Sequence, residues 1–133
     1  MERCTIMTIR RSVSLPIVFS FLILQFTSHA LANKAAVAIQ APASAAKGSE
    51  ITIRVTVTHN ANNFLHYTEW VSVMVNNQEV ARWTYTGGNR PDGEVFTKDV
   101  KYTLNGNAEI SAQASCNLHG SEGPATARVL VTQ

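Results

Sequence analysis

Cysteine is almost absent from this sequence, which contains only Cys4 and Cys116 in 133 residues. Beyond residue 32 the one cysteine is Cys116, so that part of the chain cannot form an internal disulfide. A solitary thiol in an oxidising compartment is exposed to unwanted pairing with other thiols. Metal ligation would protect the thiolate from that reaction, and Cys116 is therefore a candidate ligand.

The sequence also lacks an apolar run long enough for a comfortable membrane span, which needs about 20 residues. Its longest apolar stretch covers residues 15–26, after a positively charged start that includes Arg10-Arg11, and is followed by Ala30-Leu31-Ala32. This order is typical of a secretory signal with its cleavage site. We predict that residues 1–32 are a signal peptide. An uncleaved anchor, and a twin-arginine instead of a general secretory route, stay open.

Cleavage after Ala32 would remove Cys4 and His29 and leave one predicted domain, residues 33–133. We expect this domain to be exported to the periplasm or the extracellular space, with no membrane span after cleavage. It carries eight basic and eight acidic residues, so its net charge is zero. Nucleic acids and anionic membranes select for a basic patch, and we predict neither as a partner. The loop at residues 87–93 lacks the Lys and Ser/Thr of a phosphate-binding loop.

Convincing helical periodicity is absent as well, and alternation of apolar and polar residues predicts strands instead. Turn signals at Asn76-Asn77 and Asn105-Gly106 separate them, and residues 41–48 are expected to form a short linker or turn. The predicted fold is an all-β, seven-stranded immunoglobulin-like sandwich with Greek-key connections, or a small Greek-key barrel. The alternating stretches begin near Val37, Ile51, Val71, Val80, Phe96, Ala108 and Ala125.

Three histidines and the cysteine of the predicted domain fall into two short clusters. His59 and His66 bracket a six-residue loop, and Cys116 and His119 lie three positions apart. Both His59 and Cys116 continue the apolar parity of a strand, so we expect them to point inward at strand ends. If those ends share one pole of the sandwich, the four side chains converge. We therefore predict one mononuclear metal site whose ligands are His59, His66, Cys116 and His119.

The residues around these clusters resemble a known family. His66-Tyr67-Thr68-Glu69-Trp70 and Cys116-Asn117-Leu118-His119-Gly120 are similar to motifs of the desulfoferrodoxin and neelaredoxin family, the superoxide reductases. The resemblance covers residues 51–120 and concerns the iron-binding domain. It implies a seven-stranded immunoglobulin-like sandwich, in agreement with the strand pattern.

The resemblance implies a mononuclear, non-haem ferrous iron that reduces superoxide to hydrogen peroxide. His59, His66 and His119 would be equatorial ligands, and Cys116 would be the axial, catalytic thiolate that donates electron density to the metal. The backbone amides of Leu118 and His119 are expected to hydrogen-bond its sulfur. The electron donor is unknown, and a homo-oligomer stays open.

The sequence departs from the family pattern in its first part. The family carries a further equatorial His beside a Lys, but no His occurs between Asn33 and Thr58, and neither Lys34 nor Lys47 is followed by one. Three His and one Cys would also suit copper or zinc. Two alternatives therefore stay open: an exported iron or copper protein that transfers electrons or handles metal, and a metal-free immunoglobulin-like binding module.

Overall fold

The computed structural model describes residues 33–133, so the predicted signal peptide with Cys4 and His29 lies outside the described residues. In the described part, no helix is long and apolar enough to cross a membrane. Its regular structure consists of eight strands: β1 (Ala36–Gln40), β2 (Ser44–Ala46), β3 (Glu50–Thr58), β4 (Thr68–Val75), β5 (Gln78–Thr84), β6 (Val95–Thr103), β7 (Ala108–Cys116) and β8 (Ala125–Thr132).

The strands form two sheets, which confirms the predicted all-β sandwich. One sheet has the order β1-β3-β6, and the other has the order β2-β8-β7-β4-β5. Every pairing is antiparallel except that of β2 with β8. The chain crosses from one sheet to the other at every connection except those between β4 and β5 and between β7 and β8, which join neighbouring strands of the same sheet. Such crossings are typical of a Greek-key arrangement.

The short strand β2 corrects the sequence prediction, which treated residues 41–48 as a linker or turn and counted seven strands. Its residues pair in parallel with the end of β8, Ser44 opposite Leu130 and Ala46 opposite Thr132. Three small residues carry no readable alternation, and their strand character comes from backbone bonds to a segment far away in sequence. Such pairing leaves no local signal.

The core lies between the two sheets and follows the predicted parity. Residues of β3 that point inward are at most 5% exposed, and the inward residues of β4 and β7 face them. The hairpin between β4 and β5 turns at Asn76 and Asn77, whose φ angles of 50° and 65° are those of a type I′ turn. The inward residues are Ile51, Ile53, Val55, Val57, Val71, Val73, Val75, Ile110, Ala112 and Ala114.

The strand ends that form the candidate site lie at one pole of the sandwich. Strand β3 ends just before His59, whose N–H donates to the Glu94 carbonyl at 2.7 Å. Strand β7 ends at Cys116, which pairs with Thr68 at the start of β4. The end of β3 in one sheet and the end of β7 in the other therefore lie close together. The loop at residues 60–67, called the histidine loop below, begins there.

Candidate metal centre

His59 is the buried anchor of the site. It follows the last inward valine of β3 and is 1% exposed, as its parity predicts. Its Nδ1 lies 3.1 Å from Thr68 Oγ1 and 3.4 Å from Asn62 Oδ1. Both oxygens can accept from an Nδ1–H, and that tautomer leaves the Nε2 lone pair free for a metal.

The loop after His59 folds back and returns His66 to its side. The Asn63 side-chain oxygen accepts hydrogen bonds from the N–H groups of Leu65 (3.0 Å) and His66 (2.9 Å). The Asn63 N–H in turn donates to the His66 carbonyl at 2.8 Å. This turn places His66 Nε2 at 3.2 Å from His59 Nε2, with the two rings nearly perpendicular.

Cys116 begins a tight turn that ends at Gly120. Backbone hydrogen bonds run in both directions between Cys116 and Gly120, at 2.9 and 3.0 Å. Gly120 has a φ of +76°, a conformation that residues with a Cβ adopt only at a cost. Inside the turn, the N–H groups of Leu118 and His119 each lie 3.4 Å from Cys116 Sγ. The expected amide hydrogen bonds to sulfur are thus present.

The side chains expected to be ligands converge on His66. Its Nε2 lies 3.0 Å from Cys116 Sγ and 3.1 Å from His119 Nδ1. The donor atoms of His59, His66 and Cys116 all lie within 4.8 Å of one another. His119 Nδ1 joins the cluster from its exposed side, 3.8 Å from the sulfur.

These separations fit donors around one metal ion. Imidazole nitrogen binds transition metals at about 2.1 Å and thiolate sulfur at about 2.3 Å, so two donors at right angles lie about 3 Å apart. The contacts of His66 with its three neighbours have that spacing. The structure therefore supports the predicted ligand set geometrically, and metal ligation itself stays a prediction.

The protonation of His66 suits the same role. Burial, followed by the nearby charges of His59 and His119, lowers the pKa of His66, although a backbone hydrogen bond with Asn33 opposes the shift. A lowered pKa keeps the imidazole neutral to lower pH. Because a metal binds the neutral imidazole, the protein environment favours the form of His66 that can be a ligand.

Asn62 fixes the histidine loop, a role that sequence reasoning missed. Its Oδ1 accepts from the Thr68 N–H at 2.8 Å, and its Nδ2 donates to the Gly93 carbonyl at 2.6 Å. Arg90 Nε donates to the Asn62 carbonyl at 3.2 Å. Asn62 therefore joins the His59 side of the site to the loop that precedes β6.

Asn117 fixes the other side. Its Oδ1 accepts from the Tyr67 N–H at 2.9 Å, and its Nδ2 donates to the Leu65 carbonyl at 3.0 Å. The density of asparagines beside the predicted ligands was a readable signal, because Asn side chains readily bond the backbone in loops. What the sequence did not show was which backbone groups they reach.

Exposure differs across the cluster. His59 and Cys116 are buried, His66 is half-buried, and His119 and Leu118 are exposed. A small molecule can therefore approach from the His119 side.

The two lysines near the start of the predicted domain lie in different places. Lys34 precedes Ala35, whose N–H donates to the Gly120 carbonyl at 3.2 Å. Lys47 lies at the other pole, where its N–H donates to the Thr132 carbonyl.

Comparison with known families places these residues in context. The sequence matches the family model described as desulfoferrodoxin over residues 27–121, which is more than half of the chain. A comparison with curated proteins gives no significant match. The family match includes both the histidine loop and the Cys116–Gly120 turn.

Solved structures show the same fold in proteins of low sequence identity. A superoxide reductase (neelaredoxin) from Ignicoccus hospitalis has a TM-score of 0.63 at 20% identity, covering 74% of this chain and 82% of that one. The CARDB domain of a Pyrococcus furiosus protein, in complex with di-metal ions, has a TM-score of 0.59 at 19% identity, covering 73% and 91%. The sulfur carrier protein SoxY from Chlorobium limicola f thiosulfatophilum has a TM-score of 0.53 at 14% identity, covering 73% and 79%. These likenesses concern the fold.

Proposed function

Because the chain belongs to the desulfoferrodoxin family, we propose that it holds one non-haem iron and reduces superoxide to hydrogen peroxide. The observation that carries the proposal is the spacing of about 3 Å between His66 Nε2 and its three neighbouring donors. Membership of a family that includes superoxide reductases supports iron, and no finding favours copper.

Each residue would have a defined role at the metal. His59 and His66 would bind through Nε2 and His119 through Nδ1, because these are the atoms that face the cluster. Cys116 would bind as the thiolate, and the amides of Leu118 and His119 would donate hydrogen bonds to its sulfur. Thr68 would keep His59 in the tautomer that a metal requires.

Iron would supply the electron. The protein would determine from which side superoxide and protons can reach the metal. One superoxide takes up one electron and two protons to become one hydrogen peroxide. The exposed His119 side admits the small anion and solvent protons, whereas burial of His59 and Cys116 closes the opposite side. Each turnover then needs one electron from a donor, which we propose to be a reductant of the compartment to which the protein is exported.

The proposed location rests on the signal-like segment at residues 1–32. Export to the periplasm or the extracellular space would place the domain where superoxide from outside the cell first arrives. Because superoxide is an anion, an exported protein would meet it without requiring its passage through a membrane.

A superoxide pulse tests the activity. Reduced, iron-loaded protein should be oxidised by one superoxide per iron and should turn over only with an added reductant, whereas dismutation needs no external donor. The oxidised protein should show a sulfur-to-iron charge-transfer band in the visible range. Metal analysis of the protein purified after export should find iron.

The matched variant is Cys116→Ser, which replaces a buried sulfur by a slightly smaller oxygen and should keep the fold. This variant should lose the charge-transfer band. Iron that stays reduced after the pulse, or an unchanged visible spectrum in the variant, would contradict the proposal. Copper in the native protein would turn the assignment toward electron transfer.

A further inference from the structure

Three large apolar side chains are exposed beside the candidate metal centre. Phe64 and Leu65 directly precede His66, and Leu118 directly precedes His119. Phe64, Leu65 and Leu118 are 68%, 73% and 61% exposed. These three residues are called the apolar rim.

Two contacts hold the parts of the apolar rim side by side. Asn117 Nδ2 donates to the Leu65 carbonyl at 3.0 Å, so the residue before Leu118 is bonded to the residue before His66. The centroids of the His66 and His119 rings lie 4.7 Å apart. Single exposed apolar side chains are ordinary, but neighbouring ones next to a site mark a surface that binds a partner.

Leu118 gives this surface a short connection to the sulfur. Its N–H lies 3.4 Å from Cys116 Sγ, and its side chain starts at the adjacent Cα. The path from the Leu118 Cβ through the amide nitrogen to the sulfur is therefore roughly 6 Å long. Because electron transfer slows steeply with distance, contact at the rim would bring a donor close to the site even though Cys116 itself is buried.

We propose that the apolar rim is the docking surface for the electron donor and that this donor is a small one-electron redox protein. The inference rests on the proposed function, in which each turnover needs one electron from outside the chain. The docked donor would lose one electron and the oxidised site would gain it, with no bond formed or broken. A polar small reductant gains little from apolar side chains, whereas a protein with an apolar surface around its redox centre would bury them.

The size of the apolar rim favours a transient complex over a permanent dimer. Phe and Leu side chains exposed to this extent offer on the order of 400 Å² of accessible area. A stable interface buries about 800 Å² on each partner, whereas weak electron-transfer complexes bury less. A donor that must leave after each electron suits the smaller area.

The binding experiment uses the exported, purified protein in its metal-free and Zn(II)-loaded forms, in which the site does no redox chemistry. The probes are the oxidised forms of a small iron–sulfur protein, a c-type cytochrome and a blue-copper protein. Amide NMR signals are followed during each titration. We expect at least one probe to shift the signals of Leu65, Asn117 and Leu118 in fast exchange, as in a weak complex.

Substitutions in the rim should weaken this binding. Leu65→Gln and Leu118→Gln should each raise the dissociation constant by about fivefold or more, because each places a polar amide in an apolar contact. The matched control is Leu130→Gln. Leu130 is 56% exposed but lies near the end of β8, where its N–H donates to the Ala43 carbonyl. This control should bind the probe as the unaltered protein does.

Kinetics of the iron-loaded protein provide the second measurement. Leu65→Gln should slow reduction of the oxidised site by the donor protein to the same extent as it weakens binding. Reduction by dithionite and oxidation by a superoxide pulse should stay unchanged in this variant, because neither small molecule needs the rim.

Equal binding by the unaltered protein and the rim variants would overturn the inference, as would the absence of binding by all three probes. Self-association of the chain, or binding to neutral phosphatidylcholine vesicles, that is lost in Leu65→Gln and kept in Leu130→Gln would assign the rim to a second copy or to a membrane surface instead. All of these results leave the proposed function intact as long as superoxide oxidises the iron. If superoxide does not oxidise the iron-loaded protein, the proposed function fails and the inference fails with it.

Discussion

At the scale of single residues, hydrogen bonding at His59 Nδ1 would prepare this predicted ligand for a metal. The ring is buried, and Thr68 Oγ1 lies 3.1 Å from its Nδ1. His59 directly follows β3 and Thr68 begins β4. The contact between their side chains therefore joins the two strands. A donor fixed in one tautomer loses little orientational freedom when a metal binds.

Replacing Thr68 by valine tests this role. Thr68→Val keeps the shape of a fully buried side chain but removes the nearer of the two oxygens that face His59 Nδ1. We expect metal affinity to fall by about 10–100-fold, the usual effect of losing a partner that orients a ligand. Thr126→Val, at an exposed position of β8, is the matched control. A chelator competition assay that gave equal affinities for both variants would contradict the assigned role of Thr68.

At the scale of elements, the site depends on contact between two loops. The loop at residues 60–67 carries His66, and the loop between β5 and β6 lies beside it, joined through Arg90 and Asn62. A Cβ added at Gly87 would clash with the backbone carbonyl of Phe64, whereas one added at Gly88 would meet nothing within 4 Å. The close approach of the two backbones therefore requires a glycine at position 87 but not at position 88.

The pair Gly87→Ala and Gly88→Ala makes this requirement measurable. Gly87→Ala should displace the histidine loop, weaken metal binding and destabilise the fold by about 1–3 kcal/mol, as overpacking usually does. Gly88→Ala should leave both properties unchanged. Denaturant unfolding and metal titration of the two variants provide the test. Similar behaviour of both variants would mean that the loops are not held in close contact.

At the scale of the whole molecule, the proposed metal would connect the two sheets. His59 follows a strand of the three-stranded sheet, and Cys116 ends a strand of the five-stranded sheet. A metal bound to both would oppose separation of the sheets at this pole. The unfolded chain does not hold the ligands together, so binding should favour the folded state.

Metal binding should therefore raise the melting temperature. At a free Fe(II) concentration about 100 times the dissociation constant, the free energy of unfolding should increase by about 2.7 kcal/mol. For a domain of this size, that gain corresponds to roughly 10 °C or more. A chelator should reverse the shift, and His66→Ala should show a much smaller one. Thermal melts that do not change with iron would contradict binding at this site.

Much of this architecture was readable from the sequence, because its signals are local. Alternation of apolar and polar residues marks β3 and β7, and the same parity carries His59 and Cys116 inward at the strand ends. The predicted ligand residues also lie in short clusters, so their grouping needs no knowledge of distant contacts. Period-two alternation is a property of the strand itself and therefore survives in the sequence.

The tertiary structure decided what depends on residues far apart in the chain. Strand β2 exists because Ser44 pairs with Leu130, and His66 meets Cys116 because β4 and β7 are neighbours. Ala35 bonds to Gly120 across most of the sequence. In each case the partner is chosen by how the sheets pack and not by the residue's own type. A local pattern can predict that a side chain points inward, but only the packed sheets determine what it meets there.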